Sequence, residues 1–243
     1  SGRRYARHRL WYRNSLRVPT FNELYYKNIG NTSLVPEKVN QFGYNLSFFP
    51  IDRNGNRIAI TGAAFFNRIT DKIVAIPTQN LFVWSIQNLG IVHAYGAEVT
   101  TNFKWVFGGS NNQVLLNSSL NYSFQRSLNL SDPNHPTYGH QIAYIPIHTG
   151  NVDVSLAYKQ FGGKVSNYIV SKRYSLNENV ESNEIEGFAI TDFSVFYQLK
   201  LEKKQSIRFQ LQLKNAFDKS YSYIRSFIMP GRNYLISINY AFN

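Results

Sequence analysis

The sequence contains no cysteine, so it can form neither a disulfide framework nor a thiolate metal site. No apolar run approaches the roughly 18 residues of a transmembrane helix, and no segment has the pattern of a secretory leader. Charged residues are scarce, at 16% against about 25% in average soluble proteins. These absences exclude insertion into a membrane as helices. They do not exclude insertion as a β-barrel, whose strands alternate in polarity and contain no long hydrophobic run.

Aromatic and uncharged polar residues are abundant instead. Tyrosine (17) and phenylalanine (18) raise the aromatic content to 16%, and Asn, Ser, Gln and Thr supply most of the polarity. This mixture fits a sheet with one apolar face and one wet, largely uncharged face. The net charge of +12 is compatible with a nucleic-acid partner. However, the basic residues cluster only near the start, which favours a pore lining and anchors for lipid head groups over nucleic acid: Arg3, Arg4, Arg7, Arg9, Arg13 and Arg17.

Alternation with a period of two predicts ten antiparallel strands. The clearest is the last, in which Tyr234, Ile236, Ile238 and Tyr240 share one face. The connections between the predicted strands are alternately long and short along the whole chain. The short ones are 51–56, 107–112, 161–163 and 201–204, and the long ones are 17–37, 72–90, 128–146, 175–186 and 218–231.

Outer-membrane barrels separate their connections in this way, with short periplasmic turns and long outer loops. The predicted strands, of about 10–13 residues, also suit a tilted membrane-spanning strand. We therefore predict an all-β fold, an antiparallel transmembrane β-barrel in a bacterial outer membrane. Because the final strand follows a long loop, the C-terminus is expected in the periplasm. A soluble β-rich binding module is an alternative, since a sandwich has the same alternation.

Four segments, 16–26, 30–48, 86–103 and 213–242, resemble conserved-looking stretches of the TonB-dependent outer-membrane receptors. They contain an Arg-x-Pro and Glu-Leu-Tyr motif, a Pro-Glu pair that enters a strand, a Gly-x-Glu strand and a closing hairpin. Segment 74–90 resembles the cobalamin-receptor-like branch found in Bacteroidetes. The motif positions are Arg17, Pro19, Glu23, Leu24, Tyr25, Pro36, Glu37, Gly96, Glu98 and Asn215.

The resemblance implies a receptor that imports a large, scarce nutrient, either cobalamin-like or an iron-siderophore, without a cofactor or catalysis. Such receptors have an N-terminal plug and a barrel of about 22 strands. Residues 1–243 are therefore expected to form the last ten strands, with the plug on a longer precursor or another chain. The implied partners are the TonB complex through that plug, the rest of the barrel, lipid and lipopolysaccharide, and in some importers a surface lipoprotein.

Aromatic and arginine side chains supply much of the energy of recognition, so six of them on the predicted outer loops are candidates for ligand binding. The alternative is that they pack loop against loop. Arg17 and Glu23 are expected to fix a strand–loop junction. The candidate ligand-binding residues are Tyr25, Tyr26, Tyr221, Tyr223, Arg225 and Phe227.

No metal site or catalytic set is predicted. His135, His140 and Asp132 have no standard ligand spacing, and the acidic run Glu178, Glu181, Glu184 and Glu186 is expected to be a solvated loop. Of the histidines, only His8 and His148 fall near strand ends, and neither has an evident catalytic partner. The alternative function is a self-contained ten-stranded barrel that acts as a surface hydrolase or a pore.

Overall fold

In a computed structural model, the described residues are 5–77, 84–109, 112–201 and 205–242. Ten strands form one antiparallel sheet in which each strand pairs with the next along the chain. None of the helices in these ranges is long and apolar enough to cross a membrane. The sheet consists of β1 (Tyr5–Arg17), β2 (Glu37–Arg53), β3 (Asn56–Pro77), β4 (Trp84–Phe107), β5 (Val114–Asn129), β6 (His148–Tyr158), β7 (Phe161–Val170), β10 (Phe188–Lys200), β11 (Ser206–Lys214) and β12 (Asn233–Ala241).

The smaller elements lie in the long loops. Helix α1 (Phe21–Tyr25) lies between β1 and β2. Strands β8 (Arg173–Tyr174) and β9 (Glu184–Ile185) form a two-stranded hairpin between β7 and β10, with a 3-10 helix (Glu181–Asn183) at its tip. The β1–β2, β5–β6, β7–β10 and β11–β12 loops lie at one end of the sheet, as predicted.

The ten-strand prediction is confirmed, but the predicted loop 72–90 is wrong. Strand β3 continues to Pro77 and β4 begins at Trp84; residues 78–83 lie outside the described ranges. The sequence pattern failed because Asp71 adopts a left-handed backbone conformation, with φ of 58°. Beyond it the alternation changes phase, since Ile69 and Val74 both enter one apolar cluster with Val92.

Two predicted turns are also corrected, and two lie partly outside the described residues. The turn at 161–163 is wrong, because Lys159 and Gln160 connect β6 to β7. The turn at 51–56 is shorter than predicted, because Asn54 and Gly55, both with positive φ, close a tight hairpin. Residues 110 and 111 of the predicted turn 107–112, and residues 202–204 of the turn 201–204, are not described.

The sheet has one polar and one apolar face, as the alternation predicts. The apolar face displays large hydrophobic side chains such as Leu156 (50% exposed), Val195 (57%), Ile236 (75%) and Ile238 (66%). A soluble protein rarely exposes so broad an apolar surface, whereas lipid would cover it. The polar face includes Asp153, which accepts hydrogen bonds from side chains on three strands.

The sheet is open, because β1 pairs only with β2 and β12 only with β11 along their described lengths. The alternative of a self-contained ten-stranded barrel is therefore wrong, since the first and last strands do not join. An unpaired strand edge is costly in lipid. The open sheet is the form expected of a part of a larger barrel.

Three aromatic side chains on the polar face lie directly opposite glycines of the neighbouring strand. Trp11 is paired with Gly43, Phe65 with Gly96, and Phe196 with Gly162. In each pair the aromatic ring occupies the space that a Cβ atom would need. Glycine is unfavourable within a strand unless another group approaches it closely, and these rings supply that approach.

Candidate functional site

The long loops enclose a cavity of about 600 Å³, which we call the loop cavity. Its volume falls within the roughly 300–1,000 Å³ of small-molecule sites. Four parts of the chain form its wall: the extended β3–β4 hairpin, the β5–β6 loop, the β7 end with β8, and the β11–β12 loop. The lining residues are Lys72, Val74, Ala75, Ile76, Trp84, Ile142, Ala143, Tyr144, Ile145, Pro146, Tyr168, Val170, Arg173, Asn177, Tyr223 and Ile224.

Two asparagines in the loop after β8 bond the backbone of the β5–β6 loop through their side chains, as a neighbouring strand would through its backbone. The side-chain oxygen of Asn177 accepts the amide of Ala143 at 2.8 Å. Asn179 accepts the amide of Gln141 at 2.7 Å and donates to its carbonyl at 2.9 Å. The wall of the loop cavity is thus a set of hydrogen-bonded loops, although it is formed by segments distant in sequence.

Replacing Asn177 with alanine is expected to loosen the β5–β6 loop without unfolding the sheet. The half-buried amide of Ala143 would lose its acceptor, which costs about 1–2 kcal/mol. Amide hydrogen exchange in 139–146 should accelerate about tenfold or more. The matched control is Asn134→Ala, which replaces an exposed asparagine of the β5–β6 loop itself. Equal exchange in the two variants would show that Asn177 does not hold the loop.

Arg173 is the one arginine in the cavity wall, and its side chain is 3% exposed. Its Nη2 donates to the carbonyls of Ser222 and Tyr223, and its guanidinium lies 5.8 Å from the ring centre of Phe188. Its Nη1 is buried and has no hydrogen-bond partner among the described residues. Burial lowers the pKa of Arg173, but an arginine remains charged at any physiological pH.

Aromatic rings form much of the remaining wall. The rings of Trp84 and Tyr144 lie 5.5 Å apart, and Tyr168 and Tyr223 line the same space. Burial raises the pKa of Tyr144 and of Tyr223, so both phenols are neutral near pH 7. Tyr144 has a φ of 63°, a conformation that is uncommon for a bulky residue and is often found at functional sites.

Of the six predicted ligand-binding residues, only Tyr223 lines the loop cavity. Tyr221 packs beside it against Phe188, with ring centres 4.6 Å apart. Arg225 contacts Ser175 from the outer side, through Nη1 and Oγ at 3.4 Å. The other three lie apart and are more than half exposed: Tyr25, Tyr26 and Phe227.

The sequence pattern missed Trp84, Tyr144, Tyr168 and Arg173. Trp84 lies in a segment interpreted as a loop, and Tyr168 belongs to a strand whose alternation is irregular. Nothing in the local sequence marks Arg173 as buried, because the groups that cover it come from the distant β11–β12 loop.

Three motif residues, Arg17, Glu23 and Glu37, form one cluster of ion pairs. The guanidinium of Arg17 lies 3.0 Å from Glu23 and 3.1 Å from Glu37. Glu23 also accepts the Thr20 amide and completes a capping box at the start of α1, while Glu37 accepts the buried amide of Ile73 at 2.7 Å. The Arg17 hydrogen bond holds the pKa of Glu23 below its ordinary value.

These contacts give the motif a structural role at the junction of β1, α1, β2 and β3. The surrounding motif residues occupy the same turn: Pro19 and Leu24 flank the helix start and are half-buried, and Pro36 is half-buried immediately before β2. That Arg17 and Glu23 fix this strand–loop junction stays a prediction.

The closing motif organises the β11–β12 loop. Asn215 is buried and has a φ of 48°. Its backbone N–H donates to the carboxylate of Asp192 on β10 at 2.8 Å. Its side chain bonds both the amide and the carbonyl of Lys219. Asp218 accepts the Arg232 amide at 2.7 Å, which fixes the return of the chain into β12.

On the polar face, Glu98 is exposed beside Ser123.

The histidines and the glutamate discussed in the sequence analysis each have a different partner. His135 bonds Thr137 at 2.9 Å, His140 bonds the carbonyl of Asn177 at 3.2 Å, and Glu184 pairs with Lys172 at 2.7 Å. Within 5–77, 84–109, 112–201 and 205–242, no three His, Asp or Glu side chains are arranged to hold a metal ion.

The chain is similar to receptors of one family. A family model described as TonB dependent receptor-like, beta-barrel matches residues 7–216. The vitamin B12 transporter BtuB of Vibrio vulnificus (strain YJ016) is 23% identical over 234 residues, which are 93% of this chain and 33% of that protein.

Solved receptor structures share the fold. The copper transporter OprC matches with a TM-score of 0.71 at 13% identity, over 96% of this chain and 37% of that one. The ferric preacinetobactin receptor BauA of Acinetobacter baumannii matches with a TM-score of 0.66 at 16% identity, over 97% of this chain and 34% of that one. The chain thus spans about a third of the length of these proteins.

Proposed function

The chain belongs to the TonB-dependent receptor β-barrel family, and on this premise we propose that it contributes barrel wall and outer recognition loops to an importer of a large, scarce nutrient. Barrels of this family lie in the outer membrane, and its members are receptors and transporters rather than enzymes. The proposed cargo is cobalamin-like or an iron-siderophore complex. The likeness of 74–90 to the cobalamin-receptor-like branch of Bacteroidetes supports the first choice.

The observation that carries this proposal is the loop cavity. It combines an apolar, aromatic wall with a few polar groups, as ligand sites do, and it opens at the end of the sheet where all the long loops meet. Its volume of about 600 Å³ would accommodate one part of a large cargo, such as a ring system, with the other loops contacting the rest. Tyr25, Tyr26, Tyr221, Arg225 and Phe227 remain proposed contacts for that outer portion.

The proposed arrangement places the long loops outside the cell and the short turns and C-terminus in the periplasm. The contrast between long loops and short turns supports this orientation, because outer-membrane barrels have short periplasmic turns and long outer loops. A row of aromatic side chains near the turns is typical of a membrane interface: Phe107, Tyr158, Phe161 and Tyr197 are in register across β4 to β10. The proposed partners are the TonB complex through a plug, the rest of the barrel, lipid and lipopolysaccharide, and a surface lipoprotein.

Cells that produce the full-length protein are expected to accumulate radiolabelled cyanocobalamin or a ferric siderophore, and to lose that accumulation when TonB is deleted. The reason is that a plugged barrel is closed to passive entry, so transport requires energy from the inner membrane. Uptake at limiting substrate should fall at least about tenfold without TonB, which corresponds to about 1.4 kcal/mol.

The control is a strain with TonB but without the gene, which should show only background uptake. Accumulation that depends on the gene but persists without TonB would contradict the proposal and favour a passive pore. The absence of gene-dependent uptake for both classes of cargo would also contradict it.

A further inference from the structure

The charge of the loop cavity is of one sign. Lys72 and Arg173 line it, and none of its lining residues is Asp or Glu. Among the ion pairs formed by the described residues, none includes Lys72 or Arg173. The nearby Lys172, by contrast, points away and pairs with Glu184 at 2.7 Å. The cavity wall therefore contains one buried guanidinium, that of Arg173, and the half-buried Lys72, and neither forms an ion pair with a described residue.

A buried cation without a partner is costly, because the group has lost its water and gained no compensating bond. Two hydrogen bonds offset part of the cost of burying Arg173, because its Nη2 donates to two carbonyls of the β11–β12 loop. Its Nη1 remains buried without an acceptor among the described residues, and Arg173 is one of the residues that line the cavity. The missing acceptor is a group that this part of the chain does not supply.

We propose that the loop cavity binds an anionic group, a carboxylate or a phosphate, carried on a flat apolar body, with Arg173 as the residue that selects for the negative charge. The rings of Trp84 and Tyr144 would contact the apolar body, and Lys72 would add attraction at the wall. This inference rests on the proposed function. It narrows the cargo to molecules with a carboxylate or a phosphate at the end that enters the loop cavity.

The test compares naphthoate with naphthamide, two probes of the same shape that differ in charge. Binding to the full-length protein in detergent micelles is followed through the fluorescence of Trp84, and a Trp84→Phe variant identifies the signal of the cavity. Naphthoate is expected to bind at least about tenfold more tightly than naphthamide, because a hydrogen bond to a charged group is typically worth that factor. Equal affinities of the wild-type protein for the two probes would by themselves overturn the proposal.

An Arg173→Met variant should still bind naphthamide but lose most of the preference for naphthoate, because only the weaker attraction of the half-buried Lys72 remains. Retained naphthamide binding also shows that the cavity is intact, although the hydrogen bonds to the β11–β12 loop are lost. Arg232→Met is the matched control, because it removes the same charge from an exposed position of that loop, and it should preserve the preference for naphthoate. A preference for naphthoate in Arg173→Met as large as that of the wild-type protein would overturn the proposal.

This result is independent of transport. Uptake that requires no TonB would contradict the proposed function and leave the charge preference of the purified protein measurable. Conversely, TonB-dependent uptake together with equal binding of naphthoate and naphthamide would contradict only the assignment of an anion to Arg173.

Discussion

Replacing Arg17 with methionine is expected to lower the free energy of unfolding by about 2–3 kcal/mol. The reason is Glu37, whose side chain is 8% exposed and which would lose its guanidinium partner in a place with little water. The amide of Ile73 would still donate to it at 2.7 Å, but a neutral donor compensates less than a guanidinium. The loss lies below the roughly 3–5 kcal/mol of a fully buried pair, because Arg17 itself is 42% exposed.

The measurement is guanidinium unfolding of the full-length protein in detergent micelles, followed by the β-sheet circular dichroism signal. Arg13→Met is the matched control, since Arg13 is an exposed arginine on the same strand. Adding Glu37→Gln to the Arg17→Met variant should recover part of the loss, because it removes the unpaired charge. An Arg17→Met protein as stable as Arg13→Met would contradict the role of Arg17 in holding the junction.

The regular part of the fold could be predicted because each strand repeats one simple rule. In β11 the apolar residues alternate without interruption, in β12 Leu235 is an exception near the start, and the predicted strands match those of the structure closely. The rule fails at Asp71, where one left-handed residue changes the phase of β3. The residues beyond it then appear irregular, although Val74 packs in the same cluster as Ile69.

The candidate site was less predictable, and two adjacent residues show why. Lys172 and Arg173 are neighbouring basic residues after an irregular strand, and they give the same signal in sequence. Lys172 is exposed and paired with Glu184. Arg173 is buried and donates to the carbonyls of Ser222 and Tyr223, which lie about fifty positions further along the chain. Burial created by the meeting of distant loops leaves no local pattern. By contrast, the motif containing Arg17 was recognisable, because its members lie close together in the chain.

Replacing Gly96 with alanine is expected to prevent stable assembly of the sheet, at a cost of at least about 3 kcal/mol. A Cβ atom at this position would overlap the backbone carbonyl oxygen of Phe124 on β5 and would lie 2.8 Å from the ring of Phe65 on β3. A side chain can rotate away from such a clash, but a carbonyl within a paired strand cannot move without breaking hydrogen bonds. Both neighbours of β4 would therefore be displaced.

Gly62→Ala provides the matched control, because it makes the same change on the adjacent strand. A Cβ at Gly62 would have its nearest neighbour, the carbonyl of Glu98, at 3.9 Å, an ordinary contact. The folded form, detected by its shifted mobility on unheated gels, should be retained in Gly62→Ala and lost in Gly96→Ala. Adding Phe65→Leu should not restore it, since the overlap with the Phe124 carbonyl persists. If Phe65→Leu did restore assembly, the ring alone, rather than the close approach of β4 and β5, would be the reason for glycine at this motif position.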